Sequence, residues 1–220
     1  MSELPAATTD QAHLTPELIA ERQGNGRFLD RGAVFAGWVG LGMGLVIAIA
    51  FELIVAIQPL VFLLALPAGA IIGAYANVRS ERWRPRGRVL ANSAYAGVVT
   101  GIGLALLYVA IRLLFIYADS GYRVDTQGGQ LSCVPGPACT YERYLAAGRG
   151  PELTASGVTD GASFEAFVLS EHLSGGLTLL ALSVGGALIA GGLRASRTPP
   201  FRQERSRSTS GYAVSDAADA

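Results

Sequence analysis

Two ionisable side chains stand in stretches that otherwise carry no charge. Glu52 is the single charged residue in 33–78, and Arg112 the single one in 89–118. Each is costly in hydrocarbon, about 2.5–3.5 kcal/mol at mid-span and less near a span end. Pairing lowers that cost, so Glu52 and Arg112 are expected to face one another or a wet cavity. Three chemistries follow. An ion pair would lock two segments together. Separate snorkelling would carry each charge to the headgroups. A proton or ion relay would use the two groups in turn.

The two cysteines, Cys133 and Cys139, bracket Val-Pro-Gly-Pro-Ala, and Pro-Gly-Pro turns the chain back on itself. In an oxidising compartment a disulfide is expected there. Closing so small a ring contributes roughly 2–3 kcal/mol by chain entropy. No metal site is expected, because there is no second cysteine pair and the two histidines, His13 and His172, fall on opposite sides of the topology derived below. A redox role would call for C-x-x-C, which is not here. The G-L-G-M-G run at 40–44 lacks dinucleotide-fingerprint spacing and lies inside an apolar run. No Walker A, H-E-x-x-H or G-x-S-x-G motif occurs, so the sequence reads as non-enzymatic. Two Met and two His leave little for haem or copper, and no cofactor is expected.

The elements that must position these residues are apolar helices. The 220-residue chain is 50% hydrophobic and only 15% charged, below the quarter usual in soluble domains. Four runs are long enough to cross a bilayer at 1.5 Å per residue: 33–57, 60–78, 95–117 and 174–193. The first two are joined by Gln58-Pro59, which reads as a tight helical hairpin. Glu52 and Arg112 then sit five residues before the outer ends of the first and third spans, at like depth. The expected fold is all-α: a four-span transmembrane bundle of two helical hairpins. An extracytoplasmic loop domain, 118–173, lies between spans 3 and 4.

Orientation follows from arginine, the only basic residue type among the 17. Five lie in the 79–88 loop, five after the fourth span and three in the 1–32 tail, against three in 118–173. That long loop carries seven acids, Asp119, Asp125, Glu142, Glu152, Asp160, Glu165 and Glu171. Cytoplasmic loops hold the excess of Lys and Arg. Both termini are therefore expected in the cytosol of a bacterial cell, with the protein in its inner membrane. The polar start gives no cleavable signal peptide. A net charge of zero selects no nucleic acid. The expected partners are the lipid bilayer and a membrane-protein partner or second copy.

Local signals fill in the rest. Thr15-Pro16 predicts a short helix over 16–23. The tail at 194–220 lacks the apolar content to order itself, though its arginines could lie on anionic headgroups. The run 140–147 followed by Gly148 reads as a short helix with a glycine stop. Phe164, Phe167, Val168 and Leu173 recur near helical spacing, predicting a segment that lies on the membrane surface or packs on its own loop. Small residues four apart suggest close helix packing: Gly40 and Gly44, Gly69 and Gly73, Gly97 and Gly101, and on the fourth span Gly185 with Ala181 and Gly186 with Ala190. Pro67 should kink the second span. Leu-Leu-Ala-Leu at 63–66 recurs at 179–182, consistent with two related hairpins. Two functions fit this pattern. One is a structural or interaction component, or envelope sensor, acting through the outer loop. The other is a small transporter or channel subunit using Glu52 and Arg112.

Overall fold

Lipid offers no hydrogen-bond partners, so each apolar run must satisfy its backbone internally, and a helix does this within one segment. The computed structural model describes residues 28–53, 58–80, 85–118 and 133–197. The expectations for 16–23, for the end of the first span at 54–57, for loop positions 81–84 and for the tail beyond 197 lie outside the described residues. The protein is all-helical: α1 (Arg31–Glu52), α2 (Leu60–Arg79), α3 (Arg86–Tyr117), α4 (Pro137–Ala146), α5 (Gly150–Ala155) and α6 (Gly161–Arg197). Four of these, α1, α2, α3 and α6, are long and apolar enough to cross a membrane.

Three boundaries differ from the sequence reading, each for a physical reason. Helix α1 ends at Glu52, so Glu52 closes the helix rather than standing five residues inside it. The Gln58 amide donates to the Glu52 carbonyl at 2.9 Å, taking up an acceptor that the helix end leaves without an internal partner. Helix α3 starts at Arg86 rather than at 95, because the polar residues Asn92 and Ser93 find buried partners and do not interrupt it. Helix α6 is a single element of 37 residues, about 55 Å long, and not a surface segment followed by a span. Its buried positions Phe164, Val168, His172, Gly176, Leu179, Ser183 and Ala187 recur every three or four residues along one stripe. The same face therefore packs first on the loop helices and then on the bundle. Helix α2 runs unbroken through Pro67.

Packing makes a four-cornered bundle. Helix α3 lies against α1 and α6, α2 lies against α1 and α6, and α2 and α3 touch across the centre. Side-chain contacts fix the helix directions. At one end the start of α1 meets the end of α2 and the start of α3, through Asp30, Ser80 and Asn92. At the other the end of α1 meets the later part of α3, through Glu52 and Arg112. The core beside that second end is built from Ala48, Val61, Ala65, Leu104, Tyr108 and Leu179. Alanines and Ile72 fill the first end.

Beyond the Glu52 end, α4, α5 and the start of α6 form a cap. It has a core of its own: Ile116, Leu153, Val158, Phe164 and Val168, with Tyr141, Tyr144 and Phe167 packed against them. Gly136 (φ 151°) leads into α4, whose chain turns at Gly148 (φ 76°), a left-handed backbone that glycine adopts without penalty. The short helix expected at 140–147 is thus α4, starting three residues earlier at Pro137.

Candidate functional site

Glu52, Arg112 and His172 gather where the cap meets the bundle. Glu52, at the last position of α1, has no exposed surface, and Arg112 of α3 is 27% exposed. The Arg112 Nε donates to Glu52 Oε2 at 2.9 Å. The guanidinium also lies over the Tyr108 ring, 5.3 Å from its centroid, one turn back along α3. Tyr108 meets Phe62 of α2 edge-on at 5.6 Å and His172 of α6 edge-on at 6.3 Å. Gly175 leaves room for that tyrosine: a Cβ there would stand 2.7 Å from the Tyr108 hydroxyl. The four long apolar helices thus each contribute one side chain or more to a single node.

The arrangement is charge-balanced at its centre. Arg112 answers Glu52 with one hydrogen bond and sets its guanidinium over the Tyr108 ring. Two buried polar atoms, Glu52 Oε1 and His172 Nδ1, have no hydrogen-bond partner among the described residues. Glu52 Oε1 can accept a hydrogen bond from a water, and His172 Nδ1 can accept or donate one according to its tautomer. Sequence reasoning assigned His172 to the outer loop and gave it no part. The signal was present, because His172 falls four residues after Val168 and four before Gly176, on the buried stripe of α6.

A second polar node, also missed from the sequence, ties the opposite end. The Asn92 side-chain amide donates to Asp30 Oδ2 at 2.9 Å, and its carbonyl accepts from the Asp30 backbone N–H at 3.2 Å. The same amide reaches Ser80 Oγ at 3.2 Å. One turn inward, Asn77 donates to Ser93 Oγ at 2.6 Å and to the Gly73 carbonyl at 3.0 Å. Asn92 and Ser93 are fully buried. In apolar surroundings such a network holds three chain segments in one register, since breaking it strands several buried polar groups.

Between the two nodes the bundle is closed by small residues. A Cβ on Gly44 would come 2.8 Å from the Thr100 carbonyl oxygen, and one on Gly40 would collide with Thr100 Oγ1. On Gly69 it would collide with the Ser183 carbonyl, and on Gly73 it would sit 2.7 Å from Ala187. On Gly97 and Gly101 it would come 2.6 Å from the Ala187 methyl and 2.8 Å from Leu180. A Cβ on Gly185 would meet nothing within 4 Å, whereas one on Gly186, the other glycine expected to pack on this span, would collide with the Leu66 carbonyl of α2. Four-residue spacing marks a smooth helix face but does not say which face is turned inward. The interior hydroxyls are engaged by backbone: Thr100 Oγ1 donates to the Ala96 carbonyl at 2.9 Å, and Ser183 Oγ crosses from α6 to the Gly97 carbonyl of α3 at 3.0 Å.

In the cap, Cys133 and Cys139 form a disulfide with Cα atoms 5.5 Å apart. Asp160 and Ser163 cap the start of α6 reciprocally. The Ser163 N–H and hydroxyl both donate to Asp160 Oδ1 at 2.7 Å, while the Asp160 N–H donates to Ser163 Oγ at 3.0 Å. Those donors hold the Asp160 carboxyl below the usual aspartate range. Tyr141 donates to the Thr159 carbonyl at 2.8 Å, joining α4 to the same turn. Among the described residues no group of three or more His, Cys, Asp or Glu could hold a metal ion. Comparison with known protein families, curated proteins and solved structures returns no match.

Proposed function

We propose that the protein is a non-enzymatic interaction component or envelope sensor of a bacterial cytoplasmic membrane. It crosses the membrane four times as two helical hairpins, with both termini in the cytosol, and acts through the extracytoplasmic cap. The carrying observation is the closed bundle beneath a cap with a core of its own. Glycine contacts bring helix backbones together between the two polar nodes, and Thr100 and Ser183 are engaged by carbonyls. Among the described residues, the interior between the nodes offers no polar lining for a solute. The cap, by contrast, is joined to the bundle by the unbroken α6. A partner bound to the cap would therefore load a helix that reaches the other side of the membrane.

Charge partition supports the orientation. Among the described residues, the end opposite the cap carries Arg31, Arg79, Arg86, Arg88, Arg194 and Arg197 with Asp30 as its acid. The cap side carries Glu142, Glu152, Asp160, Glu165 and Glu171 with Arg143 and Arg149. A second reading, a transporter or channel subunit, is favoured by one feature, the open lone pair on buried Glu52 Oε1.

Gentle detergent extraction of the full chain, with mass spectrometry of what co-purifies, separates the two. The interaction reading expects a stoichiometric partner released when cap residues exposed on α4 and α5 are changed. A homo-oligomer that passes ions in liposomes, with flux lost in Glu52→Gln, would replace that reading with the second. A cysteine introduced at position 84 should be shielded from an impermeant thiol reagent in intact cells. Labelling there from outside would invert the topology.

A further inference from the structure

Two arginines at the cap-distal end lie beside one groove and, among the described residues, have no counter-charge. Arg31 opens α1 and Arg79 closes α2. The helices touch closely between them: a Cβ on Gly32 would collide with the Arg79 carbonyl. Arg79 lies across the groove, its guanidinium carbon 5.4 Å from the Phe35 ring of α1 and 5.7 Å from the Tyr75 ring of its own helix. Its Nε donates to the Tyr75 hydroxyl at 3.1 Å. Among the described residues, that leaves the two terminal nitrogens, the fork that matches a phosphate, unengaged. Neither arginine pairs with a carboxylate among the described residues. The nearby acid, Asp30, is 7% exposed and bonded to Asn92.

The groove continues inward with the right chemistry. Residues four apart stack along one helix face. Below Arg31 on α1 come Phe35, 50% exposed, and Val39, 42% exposed. Below Arg79 on α2 come Tyr75 and then Ile71, 62% exposed. Each row reads charge, aromatic ring, aliphatic chain in the direction in which a phospholipid reads phosphate, glycerol, acyl tail. The aromatic pair sits one turn, about 5.4 Å, inside the arginines. That is the depth at which amphipathic rings line the membrane interface.

We propose that the α1–α2 groove at this end is a binding site for one anionic phospholipid. Arg31 and Arg79 grip its phosphodiester, and Phe35, Tyr75, Val39 and Ile71 hold the first part of a tail. A net-negative headgroup is favoured over a zwitterionic one. The ammonium of a zwitterion would face the surrounding arginines and, among the described residues, find no free carboxylate. Tyr75 pre-positions Arg79, so less side-chain freedom is lost on binding than at an unrestrained surface arginine.

Trp38, 67% exposed and three residues from Phe35, provides the readout. In full-length protein carrying Trp83→Phe, Trp38 is the remaining tryptophan of the two. The protein is placed in nanodiscs of mixed phosphatidylcholine and phosphatidylglycerol, with bromines on the tails of one lipid at a time. Brominated phosphatidylglycerol should quench Trp38 as though enriched about tenfold over its bulk fraction, the scale expected for two interfacial arginines partly screened by salt. The Arg31→Gln/Arg79→Gln variant should return quenching to the bulk ratio. Arg86→Gln/Arg88→Gln, which lowers the charge at the same end equally, should keep most of the enrichment. Inorganic phosphate added in excess should not displace the lipid, because the tail contributes to binding. Tyr75→Phe, which keeps fold and charge, should give an intermediate ratio and guards against misfolding of the double variant. Bulk-ratio quenching in the parent, equal loss in the Arg86/Arg88 variant, or displacement by phosphate would each overturn the proposal.

Discussion

A carboxylate with no exposed surface depends on its partner more than the partner depends on it. Glu52 is fully buried, whereas Arg112 keeps 27% of its side chain open and has the Tyr108 face to lie on. Removing one member of a buried pair costs about 3–5 kcal/mol when the other is stranded. Arg112→Gln strands Glu52 and should approach that range. Glu52→Gln leaves an arginine that can turn outward, and should cost about 1–2 kcal/mol. Unfolding in mild detergent should rank Arg112→Gln as the least stable, with the double variant nearer the parent. Equal losses would mean that the pair does not set the energetics of this node. A second residue-scale prediction concerns pH. Asp160 is held below its ordinary range by the Ser163 donors, so its contribution is present above that range and is lost as pH falls through the lowered value. Amide exchange at 162–164, corrected for intrinsic pH effects, should speed up only in strong acid, and Asp160→Ala should show the fast rate at neutral pH. The ionic pair was the legible part of the site, because two lone charges at like depth in charge-free runs have few other solutions. Asn92, Ser93 and Asp30 were not legible. Polar residues beside an arginine-rich loop look like interfacial filler until the fold brings α1 back beside them.

Element lengths come from how much apolar chain must be covered, and hydropathy reads that well through the middle of a span. The ends are set by side-chain partners, which it does not read. Helix α1 stops where Gln58 takes up the Glu52 carbonyl, and α3 continues back to Arg86 because Asn92 and Ser93 are satisfied. Glycine spacing has the same blind spot. It found the α2 face that carries Gly69 and Gly73, yet on α6 it offered Gly185, whose surroundings are open, alongside Gly186, whose Cα faces the Leu66 carbonyl, with nothing to rank them. A comparison of alanine substitutions turns this into a measurement. Gly186→Ala and Gly69→Ala each set a methyl against backbone oxygen, which cannot move aside without shifting a helix. Overpacking of that kind costs about 1–3 kcal/mol or more. Gly185→Ala should be neutral or slightly stabilising, since alanine has the higher helix propensity. Thermal stability of the three variants in the same detergent decides it. A loss at Gly185 equal to that at Gly186 would mean that its open face is covered by something other than lipid, a second copy being the first candidate.

For the molecule as a whole, the decisive feature is that α6 serves two cores with one stripe. Phe164 and Val168 fill the cap core, and Leu179 and Ser183 fill the bundle, with His172 and Gly176 between them on the same line. The sequence showed the two stretches separately, an amphipathic run and an apolar one. It gave no reason to join them across Ser174 and Gly175, since a polar residue followed by glycine also suits a break. In the bundle that glycine has another cause, the approach of Tyr108. If the continuous helix transmits cap position to the membrane, changing its phase should separate the two cores. One alanine inserted after Leu173 turns everything on one side by about 100° relative to the other. Either Phe164 and Val168 or Leu179 and Ser183 must then leave their pockets. The bundle buries more of α6 and is held at both ends by polar nodes, so the cap should yield. Limited proteolysis of the inserted variant should cut within 133–160, while the spans stay protected and the detergent melt changes little. Alanine substituted for Leu173, which is 58% exposed, adds no turn and should leave the cap resistant. A cap that stays resistant after insertion would mean that α4 and α5 hold its position through α3 without α6. The partner-to-membrane coupling proposed for α6 would then have no mechanical basis.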